Sequence, residues 1–228
     1  MLTKAKFTTT IALWIILFLQ GNHLQAQSYF FERVYDETLA QASFVIGDLK
    51  TREAIVIDPK RDIDTYFEIA KANNLNITKV AETHIHADFL SGSRELAAVT
   101  GAGLFLSDEG GTDWQYQFPH AGLKDGSIIP IGQVELKLMH TPGHTPESLT
   151  FLVRDTKVPA TPQRAITGDF FSWAMLVVLT YWRKQPGKSA HRSLAQNSFM
   201  LLFKSFPDCP TIWRYGQDTA QVHSAVRA

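Results

Sequence analysis

The sequence predicts a layered α/β fold with polar loops gathered at one edge of a sheet, and three observations lead to this prediction. Short apolar runs bounded by Gly, Pro and Asp are typical of strands, and they outnumber the segments with helical spacing. Clusters of polar residues directly follow several of these runs. The composition is that of an ordinary globular protein, since 45% of the 228 residues are hydrophobic and 19% are charged. This length supports one sizeable core but not two full domains.

The first half of the chain alternates strands with two helices. Two apolar runs, ASFVIGD and EAIVIDP, predict paired strands joined by a short polar turn. Residues 63–72 have helical spacing, with Asp62 as the expected N-cap. The run ITKVAETH predicts a strand that ends in a histidine cluster. Residues 93–99 predict a second helix, with Ser93 as its N-cap and Gly101 as its end.

Five further apolar runs follow, and each predicts a strand. They are GLFLSD, SIIPIG, VELKLMH, LTFLVRD and RAITGDFF. Because polar clusters stand at the ends of these strands, we expect a functional site built on loops at one sheet edge.

Charge and cysteine content exclude some classes of function. The chain has 22 lysines and arginines and 22 aspartates and glutamates, so it has no electrostatic footprint for a nucleic-acid partner. Cys209 is the single cysteine, which excludes a disulfide framework within the chain and any metal site built from several cysteines.

The N-terminal segment resembles a secretory signal peptide rather than part of the fold. Lys4 and Lys6 precede the apolar run 11–19, and a small residue, Ala26, follows a polar stretch. We therefore expect residues 1–26 to be a signal peptide and the remainder to be exported, in a bacterium to the periplasm. The alternatives are an uncleaved membrane anchor, or a cytoplasmic protein whose start codon has been placed too far upstream.

Three polar clusters indicate a metal site. His84, His86 and Asp88 occupy alternating positions just after a predicted strand, in THIHADFLSG. His144 lies in the TPGHT segment after another strand, and Asp169 lies in TGD after a third. Imidazole and carboxylate groups on three loops at strand ends suit a first-row metal ion.

These motifs resemble the metallo-β-lactamase superfamily, in which an H-x-H-x-D-H loop, a T-P-G-H-T turn and a G-D segment form the metal site. The segments FFERVYDETLAQASFVIGD, IVIDPKRDIDTY, ETHIHADFLSGSREL and HTPGHTPESL are similar to those of persulfide dioxygenases, including members fused to a rhodanese domain. The resemblance covers residues 29–171. It implies an αββα sandwich, with the second half incomplete in this chain.

One departure from the family pattern bears on the number of metal ions. The residue after Asp88 is a histidine in the dinuclear hydrolases, and here it is Phe89, which has no lone pair to donate. The remaining set is His84, His144 and Asp169, and two histidines with one carboxylate are the usual ligands of non-haem Fe(II). The persulfide dioxygenase resemblance implies the same three ligands. We therefore predict a mononuclear Fe(II) site, with Zn as the alternative.

Other polar residues near the motifs have less specific assignments. His86 and Asp88 are expected either to orient the ligands and polarise the pocket or simply to bond within their loop. Asp58 is expected near the floor of the site. We expect neither His120 nor His140 to bind the metal ion. A further residue, Arg94, is expected to be a solvated or salt-bridged helix residue rather than a substrate clamp.

The resemblance implies an enzyme that oxidises a low-molecular-weight persulfide, such as glutathione persulfide, with O₂ to a sulfite-level product. One alternative is a glyoxalase II-like hydrolase that uses zinc to cleave a thioester. Another is an inactive remnant. The expected partners are therefore a small persulfide or thioester and O₂, and a homo-oligomer is compatible with the sequence.

Residues 172–228 differ in character from the domain before them. They contain two acidic residues, Asp208 and Asp218, no glutamate and no sustained hydrophobic period. Codons can be chosen for residues 172–180 that, read out of step, encode VGDVGRPD, the segment that family members carry after G-D-F. We therefore hypothesise that a one-base deletion near the codons of Phe170 and Phe171 placed this tail out of frame.

Overall fold

The computed structural model describes residues 29–87, 89–158 and 164–171. The predicted signal peptide, Asp88 and the atypical tail lie outside these residues. Within the described part of the chain, no helix combines the length and the apolar character that a membrane crossing requires.

The first sheet has six strands that lie side by side in chain order. The pairs from β1 to β3 are antiparallel, and those from β3 to β6 are parallel. The strands are β1 (Tyr29–Asp36), β2 (Gln41–Asp48), β3 (Glu53–Ile57), β4 (Asn76–Ala81), β5 (Gly103–Ser107) and β6 (Ala121–Leu123).

The second sheet has four antiparallel strands in the order β10-β9-β8-β7. They are β7 (Ile128–Ile131), β8 (Val134–His140), β9 (Leu149–Asp155) and β10 (Arg164–Ile166). The apolar runs of the second half are therefore confirmed as strands, although RAITGDFF divides into β10 and a 3₁₀-helix over Gly168–Phe171. The sequence did not predict β1, β6 or the short 3₁₀-helix over Thr112–Trp114.

Two helices complete the described fold, α1 (Asp64–Ala72) and α2 (Ser93–Thr100). Gly101 ends α2 in a left-handed conformation with φ 71°, as predicted. Both predicted N-caps are wrong. Ile63 and Gly92 occupy the cap positions, and neither residue makes a side-chain cap bond. The Asp62 carboxylate instead lies 3.8 Å from Lys60, and the backbone N–H of Ser93 donates to Oγ of Ser91 at 3.0 Å.

The two faces of the first sheet bury two separate cores. Along β3, Ala54 and Val56 pack with the helices, whereas Ile55 and Ile57 pack with the second sheet. This alternation follows from the two-residue period of a strand, which points successive side chains to opposite faces. Both faces of β3 are therefore covered by apolar contacts, and the described layers run helix, sheet, sheet. The mixed α/β prediction is confirmed.

The ends of three strands place the loops of interest together. Residues 82–87 follow β4, residues 141–148 follow β8, and the 3₁₀-helix follows β10. The backbone N–H of Leu149 donates to the carbonyl of Thr83 at 2.8 Å, which joins β9 of the second sheet to the loop after β4. The site is thus formed where the two sheets meet.

Candidate metal centre

Three side chains from these loops converge in the structure. Nε2 of His84 lies 4.0 Å from Oδ2 of Asp169, and Nε2 of His144 lies 3.8 Å from the same oxygen. One donor atom of each residue falls within 4.8 Å of the other two. Metal bonds of about 2.1 Å place neighbouring donors about 3.0–3.5 Å apart, so a first-row ion fits once the donors move closer by up to about 1–2 Å.

The three donors differ in their access to solvent. The His84 side chain is 2% exposed, whereas those of His144 and Asp169 are 28% and 42% exposed. A cation held by this set would therefore be buried on the His84 side and open toward Asp169. An open side is what distinguishes a site that binds substrate from a closed structural site.

Two hydrogen bonds determine which nitrogen of His84 carries the proton. The Thr83 hydroxyl donates to Oδ2 of Asp58 at 2.8 Å, so Oγ1 acts as acceptor for Nδ1 of His84 at 2.9 Å. Nδ1 must then hold the proton, which leaves the lone pair on Nε2, the atom that faces Asp169. Such outer contacts fix the orientation of a histidine ligand and raise its basicity.

Asp58 lies beneath this arrangement, as the sequence predicted. It is 2% exposed, and its second oxygen accepts the backbone N–H of Thr83 at 2.7 Å. Its backbone has φ 53°, a left-handed conformation that few non-glycine residues adopt. Burial alone would raise the pKa of the Asp58 carboxyl, but the charge and hydrogen bond of His86 hold it below its ordinary value.

The ring of His86 packs against that of His84, with centroids 4.1 Å apart, and its Nε2 lies beside buried acids. Its Nε2 lies 3.2 Å from Oδ1 of Asp58 and 3.8 Å from Oε2 of Glu82. Burial opposes the charged imidazolium, yet the charges of Asp58 and Glu82 raise the pKa of His86. Burial also raises the pKa of Glu82, whose carboxylate accepts a short hydrogen bond from Ser91.

Glu147 joins two of the ligand loops, and the sequence analysis did not identify it. It is fully buried, and its Oε1 accepts the backbone N–H of Ile85 at 2.7 Å and the Thr145 hydroxyl at 2.9 Å. The carboxylate therefore joins the loop of His84 to the loop of His144. The available signal was a glutamate three residues after His144, within the same TPGHTPE motif.

Phe89 packs its ring against that of His86, with centroids 4.3 Å apart. An apolar ring therefore covers His86 at the chain position where a dinuclear site would have another histidine. Asp88, the residue between them in the motif, lies outside the described part of the chain.

The three residues expected to lie outside the metal site have other contacts. Nε2 of His120 lies 3.1 Å from Asp108, and Nε2 of His140 lies 2.8 Å from the Pro146 carbonyl. Arg94 was expected to be a solvated or salt-bridged helix residue. It is exposed on α2, and its guanidinium lies over the ring of Phe118, 4.5 Å from the centroid, in a cation–π contact.

Comparison with known sequences supports a relationship to two groups of enzymes. The persulfide dioxygenase ETHE1 of Bos taurus is 31% identical over 135 residues, which cover 56% of this chain and 46% of that protein. The hydroxyacylglutathione hydrolase of Polaromonas sp. is 35% identical over 104 residues, which cover 45% and 38% of the two chains. The chain thus spans half or less of the length of these two relatives.

Solved structures give the same relationship. A metallo-beta-lactamase from Staphylococcus aureus subsp. aureus COL superposes with a TM-score of 0.61 at 36% identity, covering 71% of this chain and 53% of that one. ETHE1 from Myxococcus xanthus superposes with a TM-score of 0.53 at 27% identity, covering 62% and 57%. Residues 37–170 match the metallo-beta-lactamase superfamily, and we conclude that the chain belongs to it.

Proposed function

We propose that this chain is a mononuclear iron enzyme that oxidises a low-molecular-weight persulfide, such as glutathione persulfide, with O₂. The observation that carries the proposal is the donor set, in which His84, His144 and Asp169 converge. Two imidazoles and one carboxylate with an open side are typical of non-haem Fe(II) oxygenases. The relatives named persulfide dioxygenase support the same substrate class.

The residues around the donors prepare the site for this reaction. Thr83 and Asp58 keep the Nε2 lone pair of His84 directed at the centre, and Glu147 holds the two histidine loops at a constant separation. The exposed side of His144 and Asp169 is the direction from which substrate approaches. Bound Fe(II) would supply the electron transfer between the sulfur and O₂.

The overall reaction balances when water supplies the third oxygen atom of sulfite. One persulfide RSSH, one O₂ and one H₂O give one thiol RSH, one sulfite and two protons. The terminal sulfur is oxidised, O₂ is reduced, and the sulfur–sulfur bond is broken. Both atoms of O₂ pass to the terminal sulfur.

The test is persulfide-dependent O₂ uptake by chain that has been loaded anaerobically with Fe(II). We expect about one iron per chain and sulfite formed in proportion to O₂ consumed. His144→Ala should abolish both iron binding and uptake, and His140→Ala is the matched control that should retain them. Two zinc ions per chain, with no uptake after iron loading, would refute the proposal.

A thioester hydrolase is the second candidate, because a hydroxyacylglutathione hydrolase is 35% identical over 104 residues. In that case the zinc-loaded chain should cleave a glutathione thioester and should not consume O₂ with persulfide. The packing of Phe89 on His86 favours the mononuclear enzyme over this alternative.

Because the tail of residues 172–228 is atypical, a second version of the protein should be prepared alongside this one. The same assays should be run on the 228-residue chain and on a chain whose reading frame is restored after Phe171. Uptake by the restored chain alone would assign the activity to the family fold and make the present chain an inactive remnant. Uptake by both would show that residues 172–228 do not prevent activity.

A further inference from the structure

The loop that joins β5 to β6, residues 108–120, is closed by a contact between its two ends. Asp108 directly follows β5 and His120 directly precedes β6, and Nε2 of His120 lies 3.1 Å from Oδ1 of Asp108. The other ring nitrogen, Nδ1, lies 2.8 Å from the carbonyl oxygen of Phe118. Both ring nitrogens of His120 therefore face an oxygen atom within hydrogen-bond distance.

The chemistry of these two oxygen atoms determines how many protons the ring must carry. A carbonyl oxygen and an ionised carboxylate oxygen only accept hydrogen bonds, so each nitrogen of His120 has to donate. A neutral imidazole carries one N–H and can satisfy only one of the two acceptors, whereas the imidazolium carries two N–H groups. Both bonds of His120 therefore form together only when the ring is protonated, and the bond to Asp108 is then charge-assisted.

The side chains around His120 come from the loop itself and from α2. The rings of Tyr116 and Phe118 pack against the imidazole, with centroids 5.7 and 6.3 Å away. From α2, the guanidinium of Arg94 lies over the ring of Phe118, 4.5 Å from its centroid. Burial raises the pKa of Tyr116 far above its ordinary value, and an arginine stays charged, so neither side chain changes charge near neutral pH.

The carboxylates of the loop have separate partners. Oε1 of Glu109 accepts the backbone N–H of Asp125 at 2.9 Å, and Asp113 is exposed. Asp108 is the carboxylate that the structure pairs with His120. Histidine is the side chain whose charge ordinarily changes between about pH 5 and 8, so the proton of His120 decides whether this pair is intact.

The loop leaves the sheet at the edge that carries the candidate metal donors. β4 and β5 are parallel, so the loop after β5 and the histidine loop after β4 start at the same edge. The Ser107 hydroxyl, at the end of β5, donates to the carbonyl of Glu147 at 2.7 Å. An added Cβ on Gly110 would stand 2.8 Å from Cβ of Glu147. The loop therefore packs directly on the segment that carries His144.

We propose that protonated His120 holds the 108–120 loop against the Glu147 segment, and that loss of its proton releases the loop. The neutral ring would keep one of its two bonds, and its other nitrogen would present a lone pair to an oxygen atom. The restraint is therefore present in full at low pH and is lost as pH rises through the deprotonation of His120. This inference concerns the loop and does not depend on which reaction the metal centre performs.

The first test reads the protonation of the His120 ring by nitrogen-15 spectra of the full 228-residue chain. The His120 signals are those that disappear in His120→Gln. As pH is raised from about 5 to about 9, we expect the ring to change from two N–H groups to one. A ring that carries one N–H throughout, or two throughout, would overturn the proposal.

The second test follows the loop by amide hydrogen exchange over the same pH series. The N–H of Trp114 donates to the Gly111 carbonyl at 3.2 Å and reports on the loop. The N–H of Thr156 donates to the Gln133 carbonyl at 2.9 Å, beyond the opposite end of β9, and is the internal reference. Protection is taken relative to the intrinsic exchange rate at each pH. We expect Trp114 to lose about tenfold of its protection as His120 is deprotonated, while Thr156 loses none.

His120→Gln replaces the titrating ring by an amide that can still donate to Asp108, so the protection of Trp114 should no longer depend on pH. His140→Gln is the matched control, because Nε2 of His140 contacts the Pro146 carbonyl, outside the loop, and the variant should keep the pH dependence of the parent. Constant Trp114 protection in the parent would overturn the proposal, and so would an unchanged pH dependence in His120→Gln. If His120→Gln does not fold, the parent's exchange series alone decides.

Discussion

Gly168 lies against the side chain of Thr83, so closely that an added Cβ would stand 2.5 Å from the threonine hydroxyl oxygen. Gly168 has φ 52°, a left-handed conformation that glycine adopts without steric cost. Since Gly168 precedes Asp169 and Thr83 precedes His84, the contact brings together two loops that carry candidate metal donors. The glycine of the TGD motif is therefore required both for its backbone and for its lack of a side chain.

Gly168→Ala should weaken metal binding by displacing Thr83 and, with it, the hydrogen bond to His84. We expect about a tenfold to hundredfold loss of Co(II) affinity, measured by competition with a chelator. Gly126→Ala is the matched control, because Gly126 has φ 77° but no atom within 4 Å of an added Cβ. Equal losses in the two variants would mean that backbone strain, not contact with Thr83, causes the effect.

Thr83→Val should reduce metal affinity by a similar factor, about tenfold to hundredfold. Valine has the same shape but cannot accept from His84 or donate to Asp58, so the tautomer of His84 is no longer fixed. Thr83→Ser restores the hydroxyl and should recover most of the affinity. If Thr83→Val binds metal as the parent does, the hydrogen-bond chain has no role in orienting the ligand.

Single alanine substitutions of His84, His144 and Asp169 should each abolish stoichiometric metal binding. Each removes one of the three donors that converge within 4.8 Å. His120→Ala should leave metal content unchanged, because its nitrogens contact Asp108 and the Phe118 carbonyl instead. Metal analysis of the purified variants gives the result directly, and full retention in any ligand variant would remove that residue from the site.

Asp48→Asn should lower stability in a pH-dependent way. The Asp48 carboxylate accepts the backbone N–H groups of Lys50, Thr51 and Gln133, so it joins the end of β2 to the turn between β7 and β8. Burial opposes ionisation, but these hydrogen bonds bring the pKa of Asp48 below 3.8. The stabilisation is therefore fully present above that ordinary value and is lost as pH falls through the lowered pKa.

We expect Asp48→Asn to cost about 1–2 kcal/mol at pH 7 in the free energy of unfolding. The difference from the parent should shrink as pH falls below 3.8 and through the lowered pKa of Asp48, because the parent carboxylate then becomes protonated. Urea unfolding over a pH series from 7 downward measures it. The exposed Asp113→Asn should change stability by less than about 0.5 kcal/mol. A pH-independent difference would assign the loss to packing.

The nucleotide sequence across codons 165–228 tests the hypothesis of an out-of-frame tail. We expect an alternative frame to encode the VGDVGRPD segment directly after Phe171. If none does, residues 172–228 are genuine divergence, and the assays of the present chain stand without a restored counterpart.

The sequence predicted most of the strands because each is a local pattern, an apolar run ended by turn residues. It also placed the three metal-binding candidates, since His84, His144 and Asp169 each follow a strand and so were expected at one edge. The helix caps failed for a local reason that sequence does not show. The hydroxyl of Ser91, not that of Ser93, accepts a backbone N–H at the start of α2, and Asp62 lies beside Lys60 instead of capping α1.

What only the tertiary structure decided is which polar groups meet across long chain separations. Glu147 reaches the backbone of Ile85 across 62 residues, and Asp58 reaches Thr83 across 25. No periodicity encodes such pairs, because they depend on how two sheets pack rather than on the sequence next to either residue. Residue types after strands therefore identified the candidate ligands, and the packing of the two sheets decided how close their side chains lie and which hydrogen bonds they make.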